Sequence, residues 1–158
     1  MSTVAILAGG PSSEHDVSLE TGRGMLALLE GAGRPLRPVW IDHDGRWSVG
    51  EVGEPLDGVI GRTGEPAAEA LSRLAAEGAT ALLALHGPFG EDGTVQALLE
   101  QAHVPFTGSG PMASELCMDK TLSKLAATQL GARCGSHEVI VGTRRPLWGI
   151  AKAIGYPC

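Results

Sequence analysis

TALLALHGPFGEDGTVQALLEQAH, residues 80–103, carries three signals in a row: an apolar run, a glycine-rich acidic corner and a helical repeat. A short unbroken apolar run ending at turn residues is what a strand buried on both faces requires. Behind the corner, Val95, Leu98, Leu99 and Ala102 fall on one stripe at helical spacing. Strand, tight corner and helix in that order make one step of a βα unit.

The same step recurs on either side. Upstream, TVAILA (3–8) ends in Gly9 and Gly10, after which Leu19, Leu26 and Leu29 recur at helical spacing. PLRPVWID (35–42) reads as a second strand, and HDGR (43–46) as the turn into WSV, a small hairpin. Residues 50–65 read as loop and 66–79 as an Ala/Leu-rich helix. Downstream, VPFTGSG (104–110) reads as a further short strand and a turn. Strands alternating with helices pair in parallel through right-handed crossovers. The expected fold is therefore α/β, a doubly wound, mostly parallel sheet of Rossmann-like type. Ligands in such sheets sit at the carboxyl ends of strands, where both glycine corners, 9–18 and 86–93, fall.

The character changes near residue 117. DKTLSKLAATQLG (119–131) reads as a helix with Leu122, Leu125, Ala126 and Leu130 inward, EVIV (138–141) as a strand, and PLWGIAKAIG (146–155) as a helix opened by Pro146. The expected division is a first α/β domain over 1–116 and, over 117–158, the incomplete helical, α+β start of a second. Trp40, Trp47 and Trp148 read as packing residues; Lys124 and Lys152 read as solvated.

Composition narrows the partners. A hydrophobic content of 43% with 19% charged residues is that of a globular chain. A net charge of -6 argues against nucleic acid, whose phosphates draw on a basic face. No apolar run approaches a membrane span, and the N-terminus lacks the basic region of a signal peptide, so a cytoplasmic location is expected. Cys117, Cys134 and Cys158 are odd in number and lack CxxC spacing, which suggests neither a disulfide framework nor a zinc site. No metal ligands are assigned.

At the second corner, Gly87, Gly90 and Gly93 permit positive φ or close approach of backbone to ligand, and the next helix offers free N–H groups that favour an anion. Glu91 and Asp92 read as fasteners that accept backbone N–H bonds. Taken alone, a glycine turn with a capped helix and a surface histidine explains this corner as well. In the first corner, AGGPSSEHDVSLETG (8–22), Ser12 or Ser13, with Asp16 in competition, caps the helix, and His15 reads as a surface polar residue. Glu14 reads either as a solvated loop residue or as a carboxylate that holds a ligand ammonium. There is no GxGxxG, hence no dinucleotide fingerprint.

Taken together, these two corners and TGSGPMASELCMDKTLSKLAATQLG (107–131) resemble the N-terminal part of D-alanine:D-alanine ligases of the ATP-grasp superfamily. His86, Gly87, Gly90, Glu91, Asp92 and Gly93 fit the family's HGxxGEDG, and EHDVSL is similar to its EHEVSL, with Asp16 the departure. The resemblance implies a pre-ATP-grasp domain followed by the start of the ATP-grasp domain. It implies ATP-dependent joining of two D-alanines for peptidoglycan precursors: the first carboxylate takes the γ-phosphoryl group, and the second amine attacks the acyl phosphate. By the same resemblance Glu14 grips the first D-alanine's ammonium, and Val17 and Ser18 shape its pocket. His86 and Gly87 lie beside the substrate's carboxylate, where a donor stabilises gathering negative charge, and Lys120 contacts ATP phosphates.

ATP and Mg2+ are the implied cofactors, although the family's magnesium ligands have no counterpart in this sequence. The implied partners are D-alanine and either a second copy, since the family often pairs through this domain, or a C-terminal half. Phosphoryl transfer depends on positioning groups that are missing, so no turnover is expected from these residues alone. A truncated ligase, half of a split enzyme and a free-standing binding domain are the three readings. The stop inside an expected strand favours the first.

Overall fold

The computed structural model describes residues 2–140 and 147–155. It divides into two compact units, Met1–Met118 and Asp119–Cys158. The first contains β1 (Val4–Gly9), α1 (His15–Leu29), β2 (Leu36–Ile41), β3 (Trp47–Val49), a 3-10 turn (Leu56–Gly58), α2 (Ala67–Ala76), β4 (Thr80–Leu83), α3 (Thr94–Gln101) and α4 (Pro111–Met118).

The sheet order is β3-β2-β1-β4. β1 pairs in parallel with both neighbours, Val4 lying opposite Leu36 on one side and Thr80 on the other. β3 folds back antiparallel on β2. The chain thus leaves β1 toward one edge and returns on the opposite side, which places a topological switch point between the carboxyl ends of β1 and β4.

Side chains alternate across β1 with period two. Ala5 and Leu7 join Val39, Ile41 and Ala81 on a face covered by Ala70, Leu71 and Leu74 of α2 and by Val95 and Leu99 of α3. Ile6 and Ala8 face the other way, under Leu19 of α1 and Leu56 of the 3-10 turn. Helices on both faces make the sheet doubly wound and explain why its strands read as continuous apolar runs. α1 sits so close that a Cβ on Gly22 would lie 2.7 Å from the Cβ of Ala8.

Several expectations need correction. Residues 50–65 are more than loop: Leu56 and Val59 are buried, and Glu65 forms an antiparallel bridge with Trp47. The short strand expected in 104–110 shrinks to one bridge between Phe106 and Ala81. Ala81 N–H donates to the Pro105 carbonyl and Thr107 N–H to the Ala81 carbonyl, but Pro105 has no N–H with which to extend the ladder. α4 was not anticipated, because its apolar Met112 and Leu116 are exposed and leave no buried stripe to read.

The second unit contains α5 (Lys120–Gln129) and α6 (Leu147–Ile154). Asp119 caps α5, accepting from the N–H groups of Thr121 and Leu122 at 2.8 and 3.0 Å. Leu122, Leu125 and Leu130, expected inward, are exposed. A helical stripe signals burial only where a second layer covers it. Residues 138–140 form no strand; Val141 and Pro146 lie outside the described residues. A strand exists only with a ladder partner, which periodicity cannot supply. Of the tryptophans, Trp47 is fully buried, whereas Trp148, expected to pack, is exposed.

Candidate functional site

At the end of β1, Gly9 and Gly10 have φ of +96° and +94°. A Cβ on Gly9 would come within 2.2 Å of the Ile41 carbonyl oxygen, so the turn admits only glycine. The chain then reaches α1 through Ser12, whose Oγ accepts the Glu14 N–H at 3.1 Å. Helix capping by Ser12, Ser13 or Asp16 is thereby corrected. Glu14 holds the N-cap position without a side-chain bond, because Ser12 acts ahead of the helix rather than on it. The Glu14 side chain is exposed and, among the described residues, makes no hydrogen bond or ion pair.

His15 is buried, not a surface residue. Its Nδ1 lies 2.7 Å from the Gly10 carbonyl, which can only accept, so Nδ1 carries the hydrogen. The ring stacks on His43 at a centroid distance of 3.9 Å and meets Trp40 edge-on. The Gly9–Gly10 turn brings a carbonyl back over the first turn of α1, and this partner makes burial of a polar ring affordable. One turn on, Ser18 is buried; its Oγ accepts Gly9 N–H and donates to the Ala84 carbonyl, each at 2.8 Å. That hydroxyl ties the end of β1 to the end of β4.

The second corner is fastened by its own acids. Gly87, with φ of +68°, donates its N–H to Glu91 Oε2 at 2.8 Å. Asp92 accepts from Phe89 N–H at 2.8 Å and from Thr94 N–H at 2.9 Å. Burial pushes the Asp92 carboxyl up, but the N–H groups of Phe89 and Thr94 outweigh it and hold the group below the usual aspartate value. A Cβ on Gly90 would lie 2.6 Å from that of Leu85, so this glycine serves close packing.

The two corners converge. A Cβ on Gly87 would meet Ser12 Oγ at 2.7 Å and Glu14 Oε2 at 3.2 Å, so the Glu14 carboxylate rests against the α-carbon of Gly87. His86, the residue before Gly87, has Nε2 2.9 Å from Thr21 Oγ1 of α1. Glu14, Ser18, His86 and Gly87 therefore gather at the switch point, and Val17 is exposed on the first turn of α1. Lys120 belongs to the second unit, where it is exposed at the start of α5.

Sequence reasoning missed three residues here. Thr21 gave no signal beyond its place one turn after Ser18. Gln96, a buried amide whose Nε2 donates to the Gly90 carbonyl at 2.7 Å, could have been found as a polar residue inside an apolar stripe. Phe89 adopts φ of +72°, a left-handed conformation that its flanking Pro88 and Gly90 hint at only weakly.

Over residues 3–109 the sequence matches the family described as the D-ala D-ala ligase N-terminus. The chain belongs to that family. The D-alanine:D-alanine ligase of Chlorobaculum tepidum is 38% identical to it over 149 residues, 82% of this chain and 41% of that protein. The corresponding ligase of Desulforudis audaxviator is 38% identical over 155 residues, 98% of this chain and 43% of that protein. The solved D-alanine-D-alanine ligase from Coxiella burnetii shares the fold with a TM-score of 0.69 at 22% identity, covering 98% of this chain and 49% of that one. This ligase-family chain thus spans less than half the length of these relatives.

Among the described residues, no three His, Cys, Asp or Glu side chains converge as a metal cage. Asp119 already occupies two N–H groups at the start of α5. No described helix is long and apolar enough to cross a membrane.

Proposed function

We propose that this chain forms the first D-alanine site of a D-alanine:D-alanine ligase that builds peptidoglycan precursors. The observation that carries the reading is the Glu14 carboxylate, without a partner among the described residues, lying against Gly87 at the switch point of the sheet. An exposed carboxylate beside a histidine and a glycine corner suits a zwitterion: Glu14 takes the ammonium, while His86 and the backbone at Gly87 face the carboxylate. Ser18 holds the two strand ends in register beneath the ligand, and Val17 lines the rim.

ATP, when bound, supplies the phosphoryl group that activates the D-alanine carboxylate, and Lys120 provides a positive charge for its phosphates. This chain's own contribution is orientation. It fixes which end of the amino acid is held and places a donor where negative charge develops.

Titration of the 15N-labelled chain with D-alanine tests the reading. Backbone signals of Gly9, Gly10 and Gly87 are expected to shift with D-alanine and not with L-alanine, and Glu14→Gln is expected to abolish the shifts. Equal responses to both enantiomers, or undiminished binding by Glu14→Gln, would overturn it.

A further inference from the structure

We propose that Thr21 is a positioning residue that locks His86 in its Nε2–H tautomer and so makes Nδ1 the ring atom presented to the ligand. This rests on the reading of the site as one for D-alanine. Thr21 Oγ1 lies 3.0 Å from the Val17 carbonyl oxygen and 2.9 Å from His86 Nε2. A hydroxyl carries one hydrogen and can accept as well as donate.

Two arrangements are conceivable, and they differ in what happens at Val17. With the hydroxyl hydrogen directed at Nε2, Oγ1 and the Val17 oxygen would face each other at 3.0 Å with no hydrogen between them. With the hydrogen on the Val17 carbonyl, the usual back-bond of a helical threonine, Oγ1 is free to accept from Nε2–H, and both contacts are hydrogen bonds. The second arrangement satisfies every atom. The tautomer of a histidine follows from the bond its other nitrogen makes, and among the described residues His86 Nδ1 makes none.

The chemical consequence concerns the ligand. With Nε2–H committed to Thr21, a neutral His86 offers a lone pair at Nδ1 and cannot donate to a carboxylate. Donation at Nδ1 requires one proton from solvent, which stays on the ring as the imidazolium while the ligand carboxylate accepts from it. The charged side chains on the two segments that meet here are Glu14, Asp16, Glu20 and Arg23 on the α1 side and Glu91 and Asp92 on the β4 side. Arg23 is committed to Glu20 and Asp57, Glu91 to Gly87 N–H, and Asp92 to Phe89 and Thr94 N–H.

Long-range 1H–15N spectra of the ligand-free 158-residue chain, recorded where histidine is neutral, decide the proton assignment. The wild type is expected to show His86 with Nε2 protonated and its hydrogen protected from solvent exchange. Thr21→Val is expected to lose that protection, and Thr21→Ser to restore it. An Nδ1–H pattern in the wild type, or full protection in Thr21→Val, overturns the inference. Backbone spectra confirm that each variant is folded, and Thr21→Ser keeps the test open should Thr21→Val not fold.

D-alanine titrations form the second arm. Thr21→Val is expected to bind about tenfold more weakly, the loss of one hydrogen bond to a ring that becomes charged, and Thr21→Ser within about twofold of wild type. If wild type and Thr21→Val bind equally, the inference fails while the D-alanine reading stands. If D-alanine does not bind at all, that reading fails, and the ligand-free spectra still decide where the proton is.

Discussion

The Ser18 hydroxyl accepts from Gly9 N–H and donates to the Ala84 carbonyl, so one side chain holds two strand ends nine and 66 residues away in sequence. Ser18→Ala leaves both backbone groups buried without a partner. The expected cost is about 2 kcal/mol or more, read as a lower Tm together with shifted amide signals at both glycine corners. A Tm equal to wild type would show that the strand ends hold themselves. The residues of HGxxGEDG were legible because glycine geometry and acid fasteners are local: Glu91 reaches four residues back and Asp92 three. Ser18, Thr21 and His15 were not, because each one's role depends on a partner brought in by the fold. A polar residue's burial cannot be read until the carbonyl that compensates it, here that of Gly10, is in place.

Among the elements, the corner between β4 and α3 behaves as one electrostatic unit. Its Asp92 carboxyl is depressed in the folded chain, burial being outweighed by the N–H groups of Phe89 and Thr94. A depressed carboxyl contributes stability that is present above the unfolded aspartate value and is lost as pH falls through the folded one. The stability difference between wild type and Asp92→Asn is therefore expected to be largest at neutral pH and to shrink on acidification below the aspartate range. A difference independent of pH would contradict this. At the same scale, β1, β2, β4, α1, α2 and α3 were legible from periodicity because each has a covered face. α4, the inward stripe of α5 and, of the strand expected over 138–141, the described residues 138–140 were misjudged, since burial and pairing belong to the layer opposite, not to the segment itself.

The described residues form a doubly wound first unit and a helical second unit, and the two differ in how their backbones are covered. Residues 132–140 are exposed and lack regular secondary structure. Limited trypsin digestion is expected to cut first after Arg133 and then on α5, leaving the sheet of the first unit intact. Early cuts at Arg37 or Arg73 would contradict that order. The placement of both corners at strand ends was legible from the alternation of strands and helices alone. The position of the switch point was not, because it depends on which side of β1 each later strand joins.

That central place of β1 has a consequence for biosynthesis. Five apolar residues, Val4 to Ala8, leave the ribosome long before either neighbour: Val4 waits first for Leu36 and then for Thr80. At ordinary elongation rates the second wait lasts on the order of several seconds. During that interval the nascent chain exposes an unpaired hydrophobic ribbon, so a chaperone that shields emerging segments has its natural client at the very residues that later lead into the Gly9–Gly10 corner.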